Sequence, residues 1–273
     1  SDPVGVRDYA QAAEDLGYVH LLAYDPVIGA DTANRPDWRG PYDLHTQFHE
    51  PFVLFGYLAG VTRTLEFVTG VIILPQRQTV LVAKQAAEVD ILNEGRFRLG
   101  VGIGWNQVEY QALNENFGNR GKRSAEQIVV LRALFSEQSV TFDGRWHHID
   151  AAGLNPMPVQ RPIPIWLGGA SEAALRRAAA LADGWFPQAP ADQARAVVQR
   201  MHTFVREAGR DPADVGIEAR VSIANKTLDE WTQAVEIWRA AGATHLAVNT
   251  MGAGLSGPRA HIDAIRRFKE AIC

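Results

Sequence analysis

Strand-like and helix-like patterns alternate along this chain almost from end to end, and that alternation leaves it few folds. Parallel strands need long crossovers, and helices supply them. Val4 to Leu16 reads as an amphipathic helix, with Val6, Ala10, Ala13 and Leu16 on one stripe and Gly17 as its stop. Tyr18 to Tyr24 reads as a short apolar strand opening into a long polar loop, Asp25 to His49, that carries Trp38, His45 and His49. Pro51 begins a helix to Gly60, Leu65 to Leu74 reads as one buried strand ending at Pro75, and Val80 to Leu92 is the next helix. A glycine-rich strand follows, then helices over Val108 to Leu113 and Ser124 to Phe135, then a hairpin over Val140 to Ile149 with an Asp143-Gly144 turn. Strands at Ile163 to Leu167, Trp185 to Pro187, Ile217 to Ile223 and His245 to Asn249 alternate with helices at Glu172 to Ala182, Gln193 to Ala208, Leu228 to Ala241 and His261 to Ala271.

That gives seven strands in βα units with a helix in front of the first. A (β/α)8 TIM barrel with insertion segments, its opening strand absent from this chain, fits the count better than a doubly wound sheet. The proline-rich stretch Asn155 to Pro164 is too short and too apolar to separate domains, so residues 1–273 are expected to form one domain. Composition agrees: 273 residues with 47% apolar and 21% charged side chains describe an ordinary globular chain. A net charge of −4 gives no reason to expect nucleic acid or an anionic membrane. No apolar run reaches the length of a membrane span, and Ser1-Asp2-Pro3 does not open a signal peptide, so a cytoplasmic enzyme is expected.

In a barrel the active face lies beyond the C-terminal ends of the strands. Gly100, Gly102 and Gly104 close the segment Gly95 to Trp105. Because side chains alternate across a strand, Leu99, Val101 and Ile103 can fill a core while the other side presents only hydrogens. Either the glycines permit close packing or a bulge, or they clear room for a flat ring, with Trp105 as the lip. The spacing is not G-x-G-x-x-G, which argues against a dinucleotide fingerprint. Gly168-Gly169-Ala170-Ser171 lies where a strand hands over to a helix: Ser171 can be a simple cap, and the same free amides can hold a phosphate.

Other chemistries find little support. His45 and His49 lie in a loop without the metalloprotease arrangement, and His147 and His148 are adjacent and face opposite ways on a strand, so no metal site is expected. Either loop histidine suits a general acid or a hydrogen bond to substrate. No G-x-S-x-G elbow occurs, and the one cysteine, Cys273, is terminal, so nucleophilic acyl transfer lacks its parts. Chemistry carried by a bound redox ring needs no protein nucleophile.

Several segments together resemble the luciferase-like flavin- and deazaflavin-dependent oxidoreductases. They are Glu14 to Tyr18, Thr69 to Arg77, Ala83 to Asp90, Gly95 to Trp105, Pro162 to Gly169 and Ala182 to Trp185, and they are most similar to the branch using coenzyme F420. The resemblance implies a (β/α)8 barrel, a non-proline cis peptide at Gly70-Val71, and an oxidoreductase transferring hydride between F420 and a small organic substrate. An FMN-dependent monooxygenase and a non-catalytic binding barrel are its alternatives, and a homodimer is implied. Carried over by position, Tyr24, Asp25, Thr69, Gly70, Val71, Gly102, Gly104 and Trp105 would frame the ring, Gly168, Gly169, Ala170 and Ser171 the phosphate, and His45, His49 and Glu50 the acid/base chemistry. Two positions depart from the family pattern: Pro26 stands where relatives place a histidine after aspartate, and Trp105 where sugar-phosphate dehydrogenases of this kind carry a glutamate.

Overall fold

A computed structural model describes residues 2–272; Cys273, weighed above as a nucleophile, lies outside them. Two compact units interleave along the chain: residues 1–22, 61–66 and 165–273 form the first, and residues 23–60 and 67–164 the second. The division passes through strands β1 (His20–Ala23) and β2 (Glu66–Thr69).

The first unit contains α1 (Pro3–Asp15), β1 in large part, and the C-terminal run of βα elements. Asp2 caps α1 by accepting the Val4 N–H. Parallel pairing joins β7 (Ile165–Gly168), β8 (Gly184–Phe186), β9 (Gly216–Ser222) and β10 (His245–Asn249) in that order. Their crossovers are α6 (Glu172–Leu181), α7 (Ala194–Glu207) and α8 (Leu228–Ala241), and α9 (Gly257–Ile272) ends the chain against α1. Gly184 and Gly216 open a slot for the Trp166 indole: a Cβ on them would stand 2.2 Å and 2.5 Å from ring atoms. His245 meets that ring edge-on at 5.0 Å, and His20 hydrogen-bonds the buried Glu218 carboxylate at 2.9 Å.

The second unit holds α2 (Pro51–Ala59), β3 (Ile72–Ile73), α3 (Thr79–Leu92), β4 (Phe97–Gly102), α4 (Gln107–Ala112), α5 (Arg120–Ser136) and the antiparallel pair β5 (Val140–Asp143) and β6 (His148–Ala152). Its core is aromatic, with Phe55 stacked on Phe67 at 5.0 Å and Phe97 edge-on to Phe55 at 6.3 Å. The sequence pattern reads Leu65 to Leu74 as one strand, but the chain breaks at Gly70-Val71 and resumes as β3, so β2 and β3 both pair with β4. The hairpin turn also differs from the expected two-residue Asp-Gly turn. Four residues, Gly144 to His147, connect β5 to β6, and Glu126 of α5 accepts the N–H groups of the last three, Arg145, Trp146 and His147. No helix among the described residues is long and apolar enough to cross a membrane.

Candidate active site

Val71 and Ile73 occupy the side of β4 that the glycines leave bare. Register pairs Ile72 with Val101 and Ile73 with Gly102, so the odd-numbered side chains of β3 and the residue before it lie over Gly102 and Gly104. A Cβ on Gly102 would stand 2.6 Å from Val71 Cγ2, and one on Gly104 2.7 Å from Ile73 Cγ2. At Gly102 and Gly104 the missing side chains thus admit the neighbouring segment, whose Val71 and Ile73 form the surface. Gly104 also has a φ of +66°, which excludes most side chains. The Gly70-Val71 bond is cis without proline, as the resemblance implies. Thr69 is fully buried, its hydroxyl donating to the Gly100 carbonyl at 2.7 Å, so it pins β2 to β4 rather than offering itself to a ligand.

Asp25 turns inward as well. Its carboxylate accepts the Ile73 N–H at 3.0 Å and the Arg77 guanidinium, which also reaches Glu50 Oε1 at 3.0 Å. Burial pushes the Asp25 carboxyl up, against the pull of Arg77. On Arg77 the same burial works against the charge, but Asp25 and then Glu50 outweigh it and hold the cation. Glu50 Oε2 caps α2 by accepting the Val53 N–H at 2.8 Å, so both of its oxygens have donors. One guanidinium therefore ties both feet of the long loop. Just inside it, Glu109 of α4 accepts the Val27 N–H at 3.0 Å and the Gln76 amide at 3.2 Å, and burial raises its pKa against those bonds.

His45 and His49 lie exposed on the loop, and neither imidazole makes a hydrogen bond among the described residues. The acid/base set is thus not assembled as a group: Glu50 is committed to the fold and the two histidines are free. A row of rings runs through the same loop. Tyr24 meets Phe48 edge-on at 6.4 Å, Phe48 meets Tyr42 at 4.8 Å, and the Trp38 indole donates to the Tyr42 carbonyl at 3.0 Å and packs on Trp105 at 5.4 Å.

Gly168 to Ser171 belong to the first unit. Ser171 is the N-cap of α6, its hydroxyl accepting the Ala174 N–H at 3.3 Å. Gly169 has a φ of +139°, and its carbonyl accepts the Trp185 indole N–H at 2.9 Å. No backbone acceptor among the described residues takes the N–H groups of Ala170, Ser171, Glu172 or Ala173. Ser171 is thus a cap, and these four amides stand at the positive end of a ten-residue helix.

Sequence reasoning does not find Arg77, Gln76 or Glu109. Nothing local marks a polar residue whose partners lie some thirty to eighty positions away, although Arg77 does sit inside a segment that carries the resemblance. Among the described residues, no group of three His, Cys, Asp or Glu side chains is placed to hold a metal ion.

The F420-dependent hydroxymycolic acid dehydrogenase of Mycobacterium tuberculosis is 29% identical over 235 residues, covering 85% of this chain and 62% of that protein. The FMNH2-dependent dimethylsulfone monooxygenase of Pseudomonas fluorescens is 32% identical over 235 residues, covering 82% of this chain and 58% of that protein. The crystal structure of a Streptomyces bottropensis monooxygenase superposes with a TM-score of 0.80 at 18% identity, covering 99% of this chain and 92% of that one, which shows a shared (β/α)8-type fold. The family model for luciferase-like monooxygenases matches residues 2–269, and the chain belongs to that family of oxidoreductases and monooxygenases.

Proposed function

We propose that this protein is an oxidoreductase that moves a hydride between the deazaflavin coenzyme F420 and a small organic substrate. One observation carries the reading: the carboxylates Asp25, Glu50 and Glu109 are all hydrogen-bonded within the fold, and at the mouth of β4 lies a half-buried neutral shelf of Val71 and Ile73. A site without a free nucleophile or paired acids suits chemistry carried by a ring. When bound, the deazaflavin would supply two-electron hydride transfer at its ring carbon. The residues fit such a group, because the shelf is apolar and half-buried, while the amides of Ala170 to Ala173 suit an anionic phosphate. Gly70, Val71, Gly102 and Gly104 would shape the ring contact and Trp105 would edge it; within the first unit, Gly168 to Ser171 would suit a phosphate. His45 and His49 would exchange protons with the substrate.

The likeness to the FMNH2-dependent monooxygenase supports a second reading, a reduced-flavin, oxygen-using enzyme on the same shelf. Titrating the purified protein separately with F420 and FMN decides between them. Saturable F420 binding with weak FMN binding is expected, and tight FMN binding with no deazaflavin response would overturn the first reading.

We further assign a second copy of this chain to the apolar face of α2 and α3. Val53 is 73% exposed, Tyr57 follows one turn later, Val80 and Leu81 are also exposed, and a Cβ on Gly56 would meet nothing within 4 Å. Sedimentation should give a dimer that Val53→Glu dissociates. The compartment proposed is the cytoplasm.

A further inference from the structure

We propose that the Trp38–Trp105 pair is the substrate-selecting surface of this protein, and that it takes a neutral, planar, apolar molecule stacked on the exposed part of Trp105. Calling it substrate-selecting rests on the oxidoreductase reading above; the binding surface itself stands on its own geometry.

Of seven tryptophans, Trp166, Trp185, Trp231 and Trp238 are buried, and only Trp105 is exposed, at 48%. Leaving half an indole in water forfeits a large hydrophobic gain. Trp105 stands one residue beyond Gly104, past the end of β4, with Trp38 and Gly40 against it. Trp38 covers part of it at a 47° tilt, and Trp38 cannot swing freely, because its indole N–H is bonded to the Tyr42 carbonyl. Gly40 closes the same side: a Cβ there would stand 2.3 Å from Trp105 and 2.5 Å from Trp38, so the loop backbone lies flat against both rings. Trp38 and the Gly40 backbone thus cover one part of Trp105 and leave about half of it open to solvent.

Charges of both signs are interspersed around the pair, with Arg35, Asp37 and Arg39 alternating about Trp38 in the chain, so no single-sign patch draws an ionic partner. Asp31 is taken up by the Ala33 N–H and the Asn34 amide, Arg39 by the Pro36 and Trp38 carbonyls, and Asp43 by the His45 N–H and the Thr46 hydroxyl. Val27, Ile28 and Leu44 of the same loop are exposed apolar side chains, and the rings of Tyr42, Phe48 and Tyr24 continue the surface toward Asp25. Stacking on an indole rewards a flat π-face and gives little to a bulky aliphatic ring.

Equilibrium binding of 2-naphthol to the full chain without cofactor, followed by calorimetry and by the upfield ring-current shifts of its protons, tests this. The expected result is saturable binding that Trp105→Leu weakens at least tenfold, Trp105→Phe largely restores, and Trp38→Ala weakens about threefold to tenfold. Naphthalene-2-sulfonate and cyclohexanol are each expected to bind at least tenfold more weakly than 2-naphthol. Equal affinity in folded Trp105→Leu, or equal binding of cyclohexanol, overturns the proposal. Should Trp105→Leu fail to fold, absence of upfield shifts in the parent protein overturns it equally. The cofactor titration is read separately, so stacking without any cofactor response would defeat the oxidoreductase reading and leave this surface standing.

Discussion

Glycines make room for a neighbour in both compact units, but at opposite ends of their strands. Gly184 and Gly216 are the first residues of β8 and β9, and the ring they admit, Trp166, is sealed in the core. Gly102 closes β4 and Gly104 lies just beyond, and the side chains they admit, Val71 and Ile73, stay half-exposed. In parallel βα architecture, residues at the starts of strands serve stability and those at the ends serve function. The same residue type thus does two jobs, and the end of the strand decides which. Mutations at the two ends should separate stability from ligand binding.

The harshest break is at the strand-end side. Arg77→Met removes the cation from Asp25, whose side chain is 2% exposed, and leaves a buried carboxylate without its partner. A loss of about 3–5 kcal/mol is expected from urea denaturation, together with loosening of the loop that Arg77 ties at both feet. A change below 1 kcal/mol would mean that the loop is anchored elsewhere. Next comes Gly184→Ala, whose Cβ would overlap the buried Trp166 ring. Since that indole cannot yield, about 2–3 kcal/mol should be lost, with cofactor affinity per folded molecule unchanged. Gly102→Val is the counterpart. Its Cβ pushes on Val71, which can move outward, so stability should fall by only about 1–2 kcal/mol while affinity for the cofactor falls at least tenfold. If Gly184→Ala weakened binding as much as Gly102→Val, the two ends would not differ in role.

Most of the architecture is legible in the sequence because it rests on local periodicity. The helix at Leu228 to Ala241 shows its capping box, Thr227 with Glu230, in plain order, and the strand His245 to Asn249 has its read boundaries. What is not legible is whatever depends on a partner far along the chain. Leu65 to Leu74 is continuously apolar, so nothing in its pattern announces the break at Gly70-Val71; pairing with β4 on both sides of it does. Likewise the triple glycine of β4 shows that space is made, but only the register shows that Val71 and Ile73 take it. Asp25, read as a ligand-facing group, lies at the right place in the chain and points the other way, because Arg77 and the Ile73 amide outcompete solvent for it.

The mildest test concerns a second device that both units share, a carboxylate that gathers backbone amides. Glu14 in the first unit accepts the N–H groups of Arg63, Thr64 and Leu65, and Glu126 in the second accepts those of Arg145, Trp146 and His147. Burial works to raise both pKa values, and in each case the hydrogen bonds outweigh it, so both lie below the ordinary glutamate value. A depressed folded pKa means stability that is present above the ordinary value and lost as pH falls through the folded one. Urea midpoints measured from pH 7 down to pH 3 should therefore drop on the acid side, and Glu14→Gln and Glu126→Gln should each flatten that drop at a cost near neutrality of less than about 1 kcal/mol. The difference between the units lies in the imidazole. Only Glu126 also holds His147 Nδ1, at 2.8 Å, and His147 Nε2 in turn meets the Thr79 hydroxyl at 2.6 Å. Amide hydrogen exchange should accordingly quicken at Arg63 to Leu65 alone in Glu14→Gln, but at Arg145 to His147 and also in the first turn of α3 in Glu126→Gln. Exchange confined to the hairpin in Glu126→Gln would show that His147 carries no coupling from the carboxylate to the helix.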